Sequence, residues 1–190
     1  ALKILELGDG GNENENNNNT PAPVITVDHS TINAISGTTA WSYPVIATSD
    51  QSVMNWQWKF LSGDSRIYLN SSSYDRTIII VPANVSDAQA KFEVTAINSS
   101  GKSTTSVVTI NVAKAAVTVS GAVSMSASQP VKLQAHANFE QASYTWRLLK
   151  NGQLAVGGID QNGQMASGLP AGDYVAEVTA FSSVQGIHTA

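Results

Sequence analysis

The chain has 190 residues, no cysteine, a net charge of −4 and only 13% charged residues against 42% hydrophobic ones. Without cysteine there is no disulfide framework, thiolate metal site or thiol nucleophile, and without a basic excess there is no electrostatic footprint for nucleic acid or anionic lipid. The remainder is rich in Ser, Thr, Asn, Gln and Ala, the balance of an extracellular β-protein.

The opening segment Leu2-Lys3-Ile4-Leu5-Glu6-Leu7 is strand-like. It is too short and too charged for a signal-peptide core, and no apolar run approaches the roughly 20 residues of a membrane helix. Gly8 to Asn19 offers almost nothing apolar to bury and reads, with Thr20-Pro21-Ala22-Pro23, as a linker. Residues 1–23 are therefore expected to be the end of a preceding element plus an Asn-rich linker, with a further domain upstream.

From Val24 onward the apolar pattern has period two, broken by Gly, Asn, Ser or Pro, as in half-buried antiparallel strands. Strands are predicted over 24–27, 40–48, 53–61, 66–69, 76–81, 90–98 and 103–112. A second set follows over 116–125, 130–137, 143–150, 153–156, 164–166, 173–181 and 184–189. Lys150-Asn151-Gly152-Gln153 carries the Asn-Gly pair of a type I′ hairpin, in which both central residues need positive φ.

Glu93-Val94-Thr95-Ala96 returns as Glu177-Val178-Thr179-Ala180, each copy following a Trp-bearing strand. The chain is therefore a tandem repeat, with one domain over 24–113 and a second over 114–190. Superposing the copies leaves the second short of the stretch Val108 to Val112, so its last strand is expected to be truncated and its fold less stable. Ala113-Lys114-Ala115-Ala116, free of Gly and Pro, predicts limited swing between the domains.

Asp87-Ala88 through Phe92, Val94, Ala96, Asn98 and Gly101 resembles the F-strand signature of immunoglobulin-like domains, with Phe92 in place of the family's Tyr and Val94 in place of its Cys. Leu169-Pro170-Ala171-Gly172-Asp173-Tyr174 is similar to the opening of the same strand in bacterial Ig-like, fibronectin III-like and PKD-like modules, where Tyr174 would supply a corner hydrogen bond. The resemblance covers roughly 24–190 and implies an all-β chain of two tandem antiparallel Ig-like β-sandwiches joined by a short linker. Modules of this kind recur in secreted bacterial chitinases, other polysaccharide-degrading enzymes, adhesins and biofilm proteins, and fold alone does not choose among these.

Aromatic rings are the natural place to seek sugar stacking. Met54, Trp56, Trp58 and Phe60 share one face of a strand, aligned with Tyr144 and Trp146 in the second copy, and a Trp there is the expected core filler of an Ig-like sandwich. Trp41 and Tyr43 share a face with Val45 and Ala47 and are likewise assigned to the core. Tyr68, Tyr74 and Phe181 are left as the candidate binding residues.

No catalytic residue, cofactor or metal site is expected. His29, His136 and His188 lie in separate strands without ligand spacing, and Asp160-Gln161-Asn162-Gly163 begins like a calcium loop but lacks the later Glu. No Gly-x-Ser-x-Gly elbow or paired carboxylates appear. Asn70, Asn84 and Asn98 head Asn-x-Ser sequons expected by chance in so Asn- and Ser-rich a chain.

The expected function is a non-catalytic spacer or accessory carbohydrate-binding module of a secreted bacterial polysaccharide-active protein, with chitin or a similar polysaccharide as partner. The alternative is a stalk or interaction segment of a bacterial adhesin or biofilm-matrix protein that contacts a cell-surface protein. In either case the chain is expected to be secreted or on the cell surface, monomeric, without nucleic-acid partners and without membrane insertion.

Overall fold

A computed structural model describes residues 20–122, 124–126, 129–183 and 187–189. The strand-like Leu2–Leu7 segment and most of the linker lie outside the described residues, as do Val184 to Gly186 of the last predicted strand.

The first sandwich uses eight strands: β1 (Ile25–Val27), β2 (Thr31–Ile35), β3 (Trp41–Ser49), β4 (Asn55–Gly63), β5 (Tyr68–Leu69), β6 (Arg76–Val81), β7 (Ala88–Ile97) and β8 (Ser103–Ala113). One sheet has the order β1-β3-β6-β5 and the other β2-β8-β7-β4, the two-layer arrangement expected of an Ig-like sandwich. Strand β2 is absent from the sequence reading. Its alternation is short, with only Ile32 and Ala34 buried, and it pairs in parallel with β8 over Thr31↔Thr109 to Ile35↔Ala113, a correction to an all-antiparallel reading.

The core collects the inward residue of each alternating pair. Phe92 and Val94 of β7, Val108 and Ile110 of β8, Val45 of β3 and Ile79 of β6 are fully buried and belong to one cluster. Trp58 is buried among them, and its indole N–H donates to the Tyr74 carbonyl at 2.9 Å, so the loop before β6 satisfies the one polar group that the ring carries inward.

Two residues of the predicted core face depart from it. Met54 precedes β4 and is 70% exposed, and Phe60, at 42%, is only partly covered although its ring meets Phe92 edge-on at 5.8 Å. The cause is local: the β4–β7 register shifts between Phe60 and Ser62, and the strand then ends at Gly63. Gly63 has φ +106, and a Cβ there would stand 2.1 Å from the Gln89 carbonyl oxygen, so no other residue fits. Trp56, Trp41 and Tyr43 are half-buried.

The second sandwich contains β9 (Val117–Ser120), β10 (Gln134–Ala137), β11 (Ser143–Lys150), β12 (Gln153–Leu154), β13 (Tyr174–Ser182) and β14 (Ile187–Thr189). Its sheets are β9-β10 and β12-β11-β13-β14. The β11–β12 hairpin turns on Asn151 (φ 50) and Gly152 (φ 76), as the Asn-Gly pair requires. Tyr174 Oη donates to the Pro170 carbonyl at 2.7 Å, forming the corner bond that the Leu169–Tyr174 motif implies. The predicted strand over 164–166 makes only isolated bridges, Lys132↔Gln164 and Ile159↔Met165, and the strands predicted over 116–125 and 130–137 shrink to four residues each.

The connection between the sandwiches is held from both sides. Asn138 accepts from the Ala116 N–H at 2.9 Å and donates through Nδ2 to the Lys114 carbonyl at 2.8 Å. Ile35 of β2 packs against the cluster of Ala137, Phe139 and Ala180, together with Ala115 and Tyr144. A short connection, two side-chain bonds and an apolar contact oppose free rotation.

Fifteen buried residues form the first core and three the second cluster, so the first sandwich carries most of the burial. Phe92→Ala should cost about 3–5 kcal/mol. In a urea titration followed by tryptophan fluorescence, the Trp58 transition should move to lower denaturant; an unchanged midpoint would contradict the central place given to that ring.

Candidate functional site

The three expected binding residues stand on two different sandwiches. Tyr68 lies on β5, paired with Ile80, and is 52% exposed; Tyr74, in the loop leading to β6, is 66% exposed. Both belong to the β5–β6 margin of the first sandwich. Phe181 lies on β13, opposite Ser143 on one side and His188 on the other, and is partly exposed. It shares no strand pairing with the tyrosines, so the three do not make a single platform.

The turn leading to β5 is rigid where Tyr68 emerges. Asp64 accepts from the Arg66 backbone N–H at 3.0 Å and from Arg66 Nε at 3.0 and 3.1 Å, a paired geometry with a third contact from the guanidinium. The Arg66 side chain, then its backbone N–H, hold the Asp64 carboxyl down at about 2. Arg66 is raised in return, chiefly by its hydrogen bond to Asp64. Arg66 is exposed and Asp64 half-buried, so the pair orders a turn more than it stabilises a fold.

A different constellation lies on the second sandwich. Tyr144 and Trp146 of β11, both half-buried, line a cleft of about 380 Å³ with Lys132, Leu133, Gln134, Ala135, Gln161 and Asn162. Two aromatic rings thus sit among three carboxamides and an ammonium, donors and acceptors suited to hydroxyl groups. The alternation of β11 assigns Trp146 to a core, but the ring is only half-buried and stands in the wall of this cleft opposite the Gln161–Asn162 turn. That turn is set by Asp160, whose Oδ1 accepts from the N–H groups of Asn162 and Gln164 at 2.8 Å each. The Gln164 N–H, above all, lowers the Asp160 carboxyl. Gly163 must pass close to Leu133 and Trp146, with φ +77 and a Cβ position 2.4 Å from the Leu133 carbonyl oxygen. The signal available in sequence was the amide-rich run Gln161-Asn162-Gly163-Gln164 downstream of an aromatic strand.

The interior of the second sandwich holds a larger cavity of about 640 Å³. Its wall includes Val131, Leu133, Leu148, Met165, Tyr174 and Ala176, between the β9-β10 sheet and the sheet of β11 and β13. Among the described residues, no three His, Cys, Asp or Glu side chains gather as metal ligands. His29 stands beside Asp28 at 3.3 Å on the surface.

No protein-family profile and no curated protein sequence matches the chain. Solved structures align at low identity. The N-terminal Ig1-2 module of the Drosophila receptor protein tyrosine phosphatase DLAR aligns at 15% identity, covering 89% of this chain and 95% of that one, with a TM-score of 0.32. Extracellular cadherin domains 3-6 of protocadherin gamma B2 align at 13% identity over 88% of this chain and 45% of that one, TM-score 0.36. A nucleoside hydrolase-related protein from Saccharophagus degradans, described as associated with carbohydrate metabolism, aligns at 16% identity and TM-score 0.40 over 48% of this chain. This chain spans a quarter of that protein's length. At these scores the strand order and pairing, not the likenesses, carry the description of two Ig-like sandwiches.

The Asp64–Arg66 pair gives a direct check on the turn that presents Tyr68. The folded-state value near 2 lies below the ordinary 3.8, so whatever the pair contributes is present above the ordinary value and is lost as pH falls through about 2. In a carboxyl NMR titration Asp64 should titrate near 2 in the wild type and return toward 3.8 in Arg66→Ala. An unshifted Asp64 in the wild type would remove the pair.

Proposed function

We propose that the chain is a non-catalytic, extracellular binding and spacer module of a secreted bacterial polysaccharide-active protein. The observation that carries this reading is the Tyr144–Trp146 cleft, in which aromatic rings are framed by Gln134, Gln161 and Asn162. Sugar rings present apolar C–H faces that stack on aromatic surfaces and hydroxyl edges that pair with carboxamides, and the cleft offers both. Its volume lies within the usual range for small-ligand sites and suits a short stretch of a chain better than a buried monosaccharide. Chitin and related polysaccharides, with their acetamido groups, are the substrate class proposed. Tyr68 and Tyr74 make a second exposed aromatic margin, on the first sandwich, so an extended polymer would have two places to rest.

The spacer part of the proposal rests on the junction. Asn138 bridging Lys114 and Ala116, with Ile35 packed on the neighbouring cluster, opposes swing between the sandwiches and so would hold whatever adjoins them at a set distance. The same stiffness suits a stalk of a surface adhesin.

Retention on insoluble chitin, cellulose and peptidoglycan separates the readings. The wild type should be retained on chitin, and Gln161→Ala with Asn162→Ala, on an exposed turn, should weaken retention by about tenfold, the loss of roughly one or two hydrogen bonds. Trp146→Ala should abolish it, with a circular-dichroism melt showing that the sandwich survives. Absence of retention on all three polymers would leave only the spacer and stalk.

A further inference from the structure

Tyr144 belongs to two places at once. Its ring lines the cleft beside Trp146, two residues further along β11, and the same side chain packs against the buried cluster of Ala137, Phe139 and Ala180. Its hydroxyl accepts a hydrogen bond from the Ala137 N–H at 3.0 Å. The ring is thus rooted on the sheet of β11 and clasped by β10 of the other sheet, and swinging it away would strip the N–H of a buried residue of this acceptor.

The first sandwich reaches the same cluster. Ile35, the last residue of β2, packs against it from across the junction, and its place is set by the Ile35↔Ala113 pairing and by the Ser36 N–H, which donates to the Ala113 carbonyl at 2.8 Å. A cluster with only three buried members takes its cover from such partly buried neighbours. The loop between β10 and β11 ties the two contacts together. Asn138 grips the linker, Phe139 enters the cluster, and Gln141 is held at φ 51, a left-handed conformation uncommon for a residue other than glycine. Ala142 then packs on the cluster two residues before Tyr144. Backbone in such a region persists where its surroundings over-determine it, so one short segment sets both the junction and the position of the ring.

We propose that Ile35 is a positioning residue for the cleft: seated on the cluster, it holds Tyr144 where a ligand stacks, so that the second sandwich binds best with the first docked against it. The nature of that ligand rests on the sugar-binding reading above. Ile35 is not among the residues lining the cleft, so it acts through the ring alone. With the sandwiches docked, Ile35 covers the cluster, the Tyr144 hydroxyl meets Ala137 and the cleft has its wall. With the first sandwich swung away, the cluster loses that cover and the ring its backing. A ligand stacked on Tyr144 therefore binds the docked state better, and by linkage it strengthens the docking in return.

Hydrogen exchange at the Ala137 amide, followed by NMR in the full 190-residue chain, reads this coupling with no ligand present. Ile35→Ala should speed that exchange about tenfold through local opening, and Ile35→Leu should restore it, while the Phe92 amide in the first core keeps its rate in both variants. Tyr144→Phe removes the acceptor itself and should speed Ala137 exchange on its own, with Ile35→Ala adding nothing further to it. A soluble chitin oligosaccharide should slow Ala137 exchange in the wild type, and its affinity should fall about tenfold in Ile35→Ala, within the usual span of coupling between sites. Ala137 exchange indifferent to Ile35→Ala, or accelerated by it equally in the Tyr144→Phe background, would overturn the proposal. Accelerated exchange in a protein that binds no oligosaccharide would support the coupling and strike the sugar reading, whereas binding unmoved by Ile35→Ala would support the sugar reading and overturn the coupling.

Discussion

Everything in the first sandwich depends on β7 being paired along both edges. β4 lies on one side and β8 on the other, and between them Ala90, Phe92, Val94 and Ala96 are withdrawn completely from solvent. Backbone groups inside an apolar layer carry a penalty unless bonded, so a strand can lie at the centre of a sheet only if both neighbours run its full length. That condition permits a core without a disulfide: Val94 is fully buried and needs no covalent partner because its strand is fixed by two ladders. The same condition places Trp58, whose indole N–H finds the Tyr74 carbonyl only because β4 is held in register by β7.

In the second sandwich the buried cluster of Ala137, Phe139 and Ala180 gathers beside Ile35 and Ala115. Tyr144 and Trp146 of β11 are half-buried and line a cleft with Gln161 and Asn162, whereas Trp58 of β4 is buried, its indole N–H bonded to the Tyr74 carbonyl. The loop that faces the aromatic strand thus decides whether its rings fill a core or line a wall.

The parts legible in the sequence were those governed by short-range rules. Period-two alternation located β11 at Ser143–Lys150, the Asn151-Gly152 pair specified its hairpin, and the Leu169–Tyr174 motif anticipated the Tyr174–Pro170 bond. What failed depended on partners distant in the chain. Thr31–Ile35 is a strand only because β8 is beside it, and Met54 and Phe60 obey the alternation yet are exposed because the sheet ends or shifts around them. The site suffered most from this limit. Tyr68 and Tyr74 were selected for their polar neighbours and are exposed, whereas the cleft at Trp146 needed the fold of the Asp160–Gln164 turn, which brings residues some fifteen positions away to one ring.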